Sequence, residues 1–316
     1  MKVELTPRPE ACRVDATVGG DHFMSYRWDD LDVLTKPVCY PVMAADGRAI
    51  TRGYPVDPRR GERVDHPHHI GFSLTYGNVN GYDFWNNSGG NQEGMGRICH
   101  DQIERIESGD PAELVATADW VDPQERRHLR ENTTYRFHAT GDRRVIDRIT
   151  TLSADRDVDL GDDKEGLCAI RVRSGLEHPE AGDVSVVEDP STGSTTEIDG
   201  RQGRSGVYHT SEGIEGTAAW GTRARWIRLT GDVEDSPVAV TLMDHPENIG
   251  HPAFWHARGY GLFSVNPLGQ AAFTDGAQRL DYGLNTGEST TLRYRLAVDV
   301  DPPTTDAIEE RYQSFV

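Results

Sequence analysis

The sequence predicts an all-β protein, a large antiparallel β-sandwich with a short C-terminal helix. Three observations carry that reading: apolar residues alternate with polar ones at period two, turn signals separate the alternating stretches, and helical periodicity is nearly absent. Leu114, Ala116, Ala118 and Trp120 form the first clear stretch, and Thr133, Tyr135 and Phe137 the second. Trp226 to Leu229 and the run Leu292, Tyr294, Leu296, Val298, Val300 complete the set. Turns are expected at Asp46-Gly47, Ser108-Gly109-Asp110-Pro111, Thr140-Gly141-Asp142, Asp199-Gly200 and Thr230-Gly231-Asp232. The stretch 178–205, rich in Gly, Ser, Thr, Glu and Asp, reads as a long solvated loop or hairpin. The helix is expected over Thr305 to Phe315, after Pro302-Pro303, with Asp306 and Glu309 spaced as a capping box. The strands before and after 185–205 are alike in kind, so one domain over 1–316 is expected, with a split near 185–205 as the alternative.

Composition narrows the function. Hydrophobic content is 36%, but 6 Trp, 11 Tyr and 8 Phe are enough for a sizeable core. A formal charge of −19 argues against nucleic acid or an anionic membrane as partner. Lysine occurs only at positions 2, 36 and 164, so nearly all the basic residues are arginine. An acidic, Lys-poor surface suits high salt, where carboxylates stay hydrated and repulsion is screened. The melting temperature is therefore expected to rise by a few degrees from low to molar salt; a salt-independent melting curve would refute the halophile reading. The cysteines at 12, 39, 99 and 168 have neither disulfide-framework nor zinc-knuckle spacing. No apolar run approaches a membrane span, and the N-terminus has no apolar signal region, so a cytoplasmic protein is expected.

Three segments concentrate chemistry. In Asp65-His66-Pro67-His68-His69, three imidazoles fall within four residues; if extended, His66 and His68 face one way and His69 the other. Asp83 and Trp85 follow closely. Imidazoles on one face can share proton transfer, bind substrate hydroxyls or hold a metal. The second segment runs from an apolar strand, Val238 to Met243, into Asp244-His245, and on through Trp255, His256, Arg258 and Asn266. Here Arg258 offers a planar fork and Trp255 a face for a sugar ring. In the third, Asp162-Asp163-Lys164-Glu165-Gly166 leads into a strand carrying Arg171; Lys164 is notable in so Lys-poor a chain, and Glu165 is the candidate general base. No dinucleotide, P-loop, zincin or nucleophile-elbow motif is present.

The stretches DHPHHIGFSLTYGNVNGYDFW (65–85), KEGLCAIRVR (164–173), GTRARWIRLTG (221–231) and DHPENIGHPAFWHARGYGLFSVNPLG (244–269) resemble the PmoA-like family, labelled "methane oxygenase PmoA". The resemblance implies a galactose-mutarotase-like supersandwich, and through that fold a His acid and a Glu base at an anomeric centre. His68, His245 or His256 would then be the acid and Glu165 the base, with His66, His69, Asp83, Trp85, Lys164, Arg171, Trp255, Arg258 and Asn266 around the substrate. The expected function is acid–base chemistry on a sugar or keto-sugar, as epimerase, lyase or hydrolase, with no cofactor assigned. One alternative is a metal-dependent enzyme using His66, His68 and either His245 or His256; another is a non-catalytic sugar-binding protein. The partner expected is a small molecule, with a homodimer as the base-rate oligomer.

Overall fold

The structure is a computed structural model that describes residues 1–28, 33–86 and 93–316. Within those residues the chain builds two large antiparallel sheets of eight strands each. Sheet I runs, neighbour by neighbour, Glu4–Arg8, Arg13–Val18, Asp21–Arg27, Val38–Val42, Phe72–Tyr76, Gly166–Arg171, Leu262–Asn266 and Phe254–Arg258. Sheet II runs Val207–Thr210, Trp226–Val233, Ser236–Asp244, Ser289–Asp299, Arg143–Ala154, Arg127–Ala139, Ala112–Val121 and Arg97–Glu107. Within these two sheets every strand pairing is antiparallel, and the protein is an all-β sandwich.

Alternation explains how the sheets meet. Leu114, Ala116, Ala118 and Trp120 are all buried and belong to one core with Tyr135 and Phe137 of the next strand. Sheet I contributes Phe23, Tyr26, Phe72, Leu74, Cys168, Ile170, Trp255, Phe263 and Val265 to the same core. Rings touch across the interface: Phe23 lies edge-on to Phe137 with centroids 6.0 Å apart, and Tyr26 lies 5.5 Å from Tyr135. The core also holds charge. Arg148 donates to Glu131 Oε1 at 2.6 Å, and Trp120 Nε1 donates to Glu131 Oε2 at 3.0 Å. Burial of that carboxylate is tolerated because both its oxygens are engaged.

Two local expectations, a turn and a helix cap, are corrected, and the choice between loop and hairpin over 178–205 is resolved. Thr230-Gly231-Asp232 is not a turn but lies inside the strand Trp226–Val233, where Gly231 pairs with Val238. The reversal falls instead at Glu234-Asp235, with φ +55° and +59°, the left-handed pair that a two-residue hairpin turn uses. The segment 178–205 contains a two-stranded hairpin, Asp183–Asp189 with Ser194–Asp199. The helix, Thr305–Gln313, is capped by Thr304, whose hydroxyl accepts from the Ala307 amide at 3.3 Å, rather than by a box of Asp306 and Glu309. Glu309 is used sideways, accepting from Arg225 and from Trp226 Nε1.

That helix closes one outer surface of the sandwich. Ile308 and Tyr312 bury against Trp226 and Met243 on the outside of sheet II. The outside of sheet I is covered by the loops that carry His66, Trp85, Glu165 and Tyr260, and it becomes the polar face. Among the described residues no helix is long and apolar enough to cross a membrane.

Candidate functional site on the outer face of sheet I

Strand register builds the site. Ser73 pairs with Ala169, Ala169 with Ser264, and Ser264 with His256, so these four side chains form one row across sheet I. Arg171, Leu262 and Arg258 form the adjacent row on the same face. His256 thus stands two strand spacings from Ala169, about 10 Å. Residues between these positions point the other way: Cys168, Ile170, Trp255 and Phe263 enter the core.

At one end of these rows lies a narrow cleft of about 10 Å³. Its floor is apolar, with Trp85 packed on Ala169, Leu262 and Tyr260. Lys36, His68, His69 and Arg171 line it together with Ser73 and Thr75. The His segment is not extended. His66 has φ +40°, the chain turns at Pro67-His68, and the His69 amide returns to the His66 carbonyl at 3.0 Å. The turn stacks His66 on His69 with centroids 4.9 Å apart, so these two share a side, contrary to the extended-chain expectation. His66 stacks in turn on Tyr260 at 4.7 Å, which joins the first segment to the second. Gly71 permits the arrangement: with φ +58°, a Cβ there would sit 2.5 Å from the Cys39 carbonyl.

The turn is held by charge. Arg52 and Arg171, both fully buried, share Asp65 Oδ1 at 2.7 and 2.6 Å. Arg52 also donates to the His66 and His69 carbonyls. The Asp65 carboxyl is held well below the usual range; burial opposes this, but the His66 hydrogen bond and the two guanidiniums outweigh it. The same cations act on the imidazoles. Burial first, then the Lys36 charge, pushes His68 down to about 2, and burial pushes His69 well below its ordinary value. Both rings are therefore neutral near pH 7, which removes His68 as an imidazolium acid. Lys36 is buried, donates to the Trp85 carbonyl at 3.2 Å, and is lowered to about 7 by burial against the opposing pull of Asp83.

A second group sits at the other end of the row. His256 Nδ1 lies 3.0 Å from the Lys164 carbonyl, which requires that nitrogen to carry the proton and leaves Nε2 as the basic nitrogen. Glu165 Oε2 stands 3.8 Å from His256 Nδ1, and its other oxygen accepts from Lys164 Nζ. Burial lowers the His256 pKa, with the Glu165 charge working against it. Asp163, beside them, is raised by burial, with the charges of Glu165 and Asp83 adding to the effect. Arg258 reaches outward and lies over the Tyr260 ring at 5.5 Å, so Tyr260 is flanked by both groups.

Several expected site residues serve other ends. Trp255 is fully buried in the core and donates to the Ala224 carbonyl at 2.8 Å, so its faces are not open to a sugar. Asn266 is also fully buried: its amide donates to the Asp163 carbonyl, and its oxygen accepts from Leu268 and Gly269. It positions the Asp163–Glu165 loop. Asp83 spends both oxygens on the Trp85 and Asn86 amides and the Asn86 side chain, which orients Trp85. His245 lies with sheet II, edge-on to Phe315 at 5.1 Å, and accepts from the Glu247 amide. Asp244 beside it ties Asn248, His251 and Ala253 into a structural knot. His245 is thus not brought to His66, His68 or His256.

Among the described residues no three His, Cys, Asp or Glu side chains converge to hold a metal ion. His66 and His68, the pair of the metal reading, meet edge to face with centroids 5.8 Å apart, while His245 packs on Phe315 and His256 bonds the Lys164 carbonyl, so the set does not converge. Lys36, Arg52 and Tyr260 belong to this face without a local motif to mark them. Lysine scarcity points equally to Lys36 and Lys164, and Tyr260 lies in the turn just past the strand Phe254–Arg258.

Fold and site together define an antiparallel β-sandwich with a cluster of buried titratable side chains on the outside of one sheet. The chain belongs to a family of unknown function, DUF6807, which matches residues 13–313. That finding corrects the resemblance to the PmoA-like family, whose name does not emerge from the match. No curated protein sequence matches the chain. Among solved structures, the chain is similar to the galactosidase domain of the α-galactosidase–sucrose kinase AgaSK, at 11% identity and a TM-score of 0.43, over 94% of this chain and 41% of that one. It thus spans less than half of that protein's length. It is also similar to a galactose mutarotase-like protein from Clostridium acetobutylicum, at 10% identity and a TM-score of 0.40, over 94% of this chain and 98% of that one. A third is an α-galactosidase from Geobacillus stearothermophilus in complex with raffinose, at 10% identity and a TM-score of 0.31, over 95% and 40% of the two chains.

Proposed function

We propose that this protein is a carbohydrate-active enzyme that moves a proton on a sugar or keto-sugar at the outer face of sheet I, as an epimerase, lyase or hydrolase. The observation that carries the reading is the pairing of Glu165 with His256, 3.8 Å apart, two strand spacings from a cleft of hydrogen-bond donors. The side chain of Glu165 is 21% exposed, so it is open to a substrate, and one of its oxygens accepts from Lys164 Nζ. A base of this kind takes a proton from carbon or hydroxyl, and a neutral His256 Nε2 can accept or relay the second proton of the same exchange. The two groups come from different strands, and the backbone contact at Nδ1 locks the imidazole tautomer. About 10 Å from the pair to the cleft is room for one or two sugar rings between them.

The test is proton exchange with solvent. Aldoses, ketoses and keto-glycosides are incubated with the full-length protein in D₂O, and deuterium incorporation and anomer interconversion are followed by NMR. The expected result is exchange at one carbon, or faster anomer interconversion, for at least one sugar. Binding without exchange, bond cleavage or interconversion across the panel would reduce the protein to a sugar-binding module and overturn the proposal.

A further inference from the structure

Three buried N–H groups on residues lining the cleft have no hydrogen-bond partner among the described residues: Trp85 Nε1, Arg171 Nε and His69 Nε2. The three residues are only 2%, 1% and 6% exposed. His69 Nε2 is a donor because Nδ1 lies 3.4 Å from Arg171 Nη1. A guanidinium only donates, so Nδ1 accepts and a neutral ring carries its proton on Nε2. The three are also packed together: the His69 ring meets the Trp85 ring edge-on with centroids 5.3 Å apart, and Arg171 reaches its Nδ1. Buried donors are ordinarily satisfied in folded proteins, so three on one cleft point to a bound acceptor.

Size and charge select that acceptor. A cleft of about 10 Å³ holds one particle about the size of a water molecule, and not a carboxylate, a phosphate or a sugar ring. Beneath it lies an ionic cluster: Arg52 and Arg171 share Asp65, Arg63 and Arg204 share Glu177, and Arg63 also donates to Glu180. Arg171 Nη2 joins the two halves, 3.9 Å from Glu177 Oε1. Among the described residues, four guanidiniums thus meet three carboxylates, one positive charge in excess, and the excess stands without counting Lys36. Guanidiniums do not shed it, since they stay protonated near pH 7. A water would leave that charge standing. A monatomic anion cancels it and accepts from all three donors.

We infer that the cleft is a halide site, taking chloride under ordinary conditions, in which the ion accepts from Trp85 Nε1, Arg171 Nε and His69 Nε2. The inference is independent of the proton-transfer reading, because the ion sits in the cleft while His256 stands about 10 Å along the row. The ion ties together three separate parts of the chain: the turn from His66 to His69, the loop carrying Trp85 and the strand Gly166–Arg171. Its effect therefore falls on the stability of this face.

The experiment is thermal unfolding of the full-length protein at constant ionic strength, with sodium acetate replaced stepwise by sodium chloride or sodium bromide. Constant ionic strength removes the general screening effect of salt. The melting temperature is expected to rise by a few degrees and to saturate, with a midpoint on the order of 10 mM halide. Trp85→Phe keeps an aromatic ring and removes the donor, and is expected to raise that midpoint about tenfold. Trp220→Phe removes another buried N–H without a partner, one that lies off the cleft, and the midpoint is expected to match wild type. In wild-type crystals grown in bromide, anomalous signal is expected within hydrogen-bond distance of the three nitrogens, a result that stands whether or not Trp85→Phe folds. No saturable rise with halide, an equal rise with inorganic phosphate, or an unchanged midpoint in a folded Trp85→Phe overturns the inference. Bromide found on the surface alone, as an adventitious ion only, or an ordered water held by the three nitrogens in bromide overturns it too. Sugars that exchange protons with no halide effect would leave the proton-transfer reading standing while this one falls.

Discussion

If Glu165 is the base of the proposed reaction, Glu165→Gln is expected to lower the rate of proton exchange by about 10²- to 10⁴-fold while leaving substrate affinity within a few-fold of wild type. The amide keeps the shape of the side chain and removes the base, so the loss falls on kcat rather than KM. His256→Asn, which keeps a donor to the Lys164 carbonyl, is expected to cost a similar factor, and the double variant little more than either single one, because the two groups act as a unit. The check is steady-state kinetics on the sugar identified by solvent exchange. Unchanged kcat in both variants would remove the pair from the chemistry. Asn266→Ala should behave differently: it frees the Asp163–Glu165 loop without touching substrate, so its defect appears together with a lower melting temperature.

The second large effect is on stability. Asp65→Asn leaves Arg52 and Arg171, neither exposed at all, without the carboxylate they share, and about 3–5 kcal/mol of folding free energy is expected to go with it. Replacing a surface-paired acid such as Asp281 should cost well under 1 kcal/mol, because its ion pair with Arg279 is solvated. Denaturant unfolding of both variants checks the contrast.

Acid should act through the same turn. His69 titrates far below its unfolded value, so below about pH 6.5 the unfolded chain binds a proton that the folded chain refuses. Stability contributed by the neutral ring is present above pH 6.5 and falls with decreasing pH by roughly 1.4 kcal/mol per unit. Asp65 has the same sign in a lower window: its contribution is complete above about pH 4 and is lost as pH drops toward its depressed folded value. Wild type should therefore lose stability between pH 6.5 and 5, and His69→Asn should show a shallower slope there. Parallel slopes would refute a buried neutral His69.

Much of the fold was legible because strand burial has a period of two. The stretch around Leu114 to Trp120 and the run from Leu292 to Val298 display that period, and each became a strand with those residues inward. The turn at Thr230-Gly231-Asp232 was misread because glycine also serves strand interiors, and Glu234-Asp235 adopts left-handed φ without one. The site was legible in part. Composition and local clustering pointed to the His-rich turn, Glu165, His256 and Arg258. Trp255 and Asn266 were misread because their neighbours in sequence face the site, while Trp255 enters the core and Asn266 spends its hydrogen bonds on the loop.

By itself, the sequence determined the all-β class, the acidic and Lys-poor surface, and the chain segments in which polar chemistry is concentrated. These are properties of composition and of near neighbours, and they are written locally. Only the tertiary structure decided which segments share a place. Register across four strands put His256 in line with Ala169 and Ser73, the turn at Pro67 put His66 on His69 and Tyr260, and the same packing left His245 with sheet II. Such pairings are long-range, and no spacing along the chain encodes them.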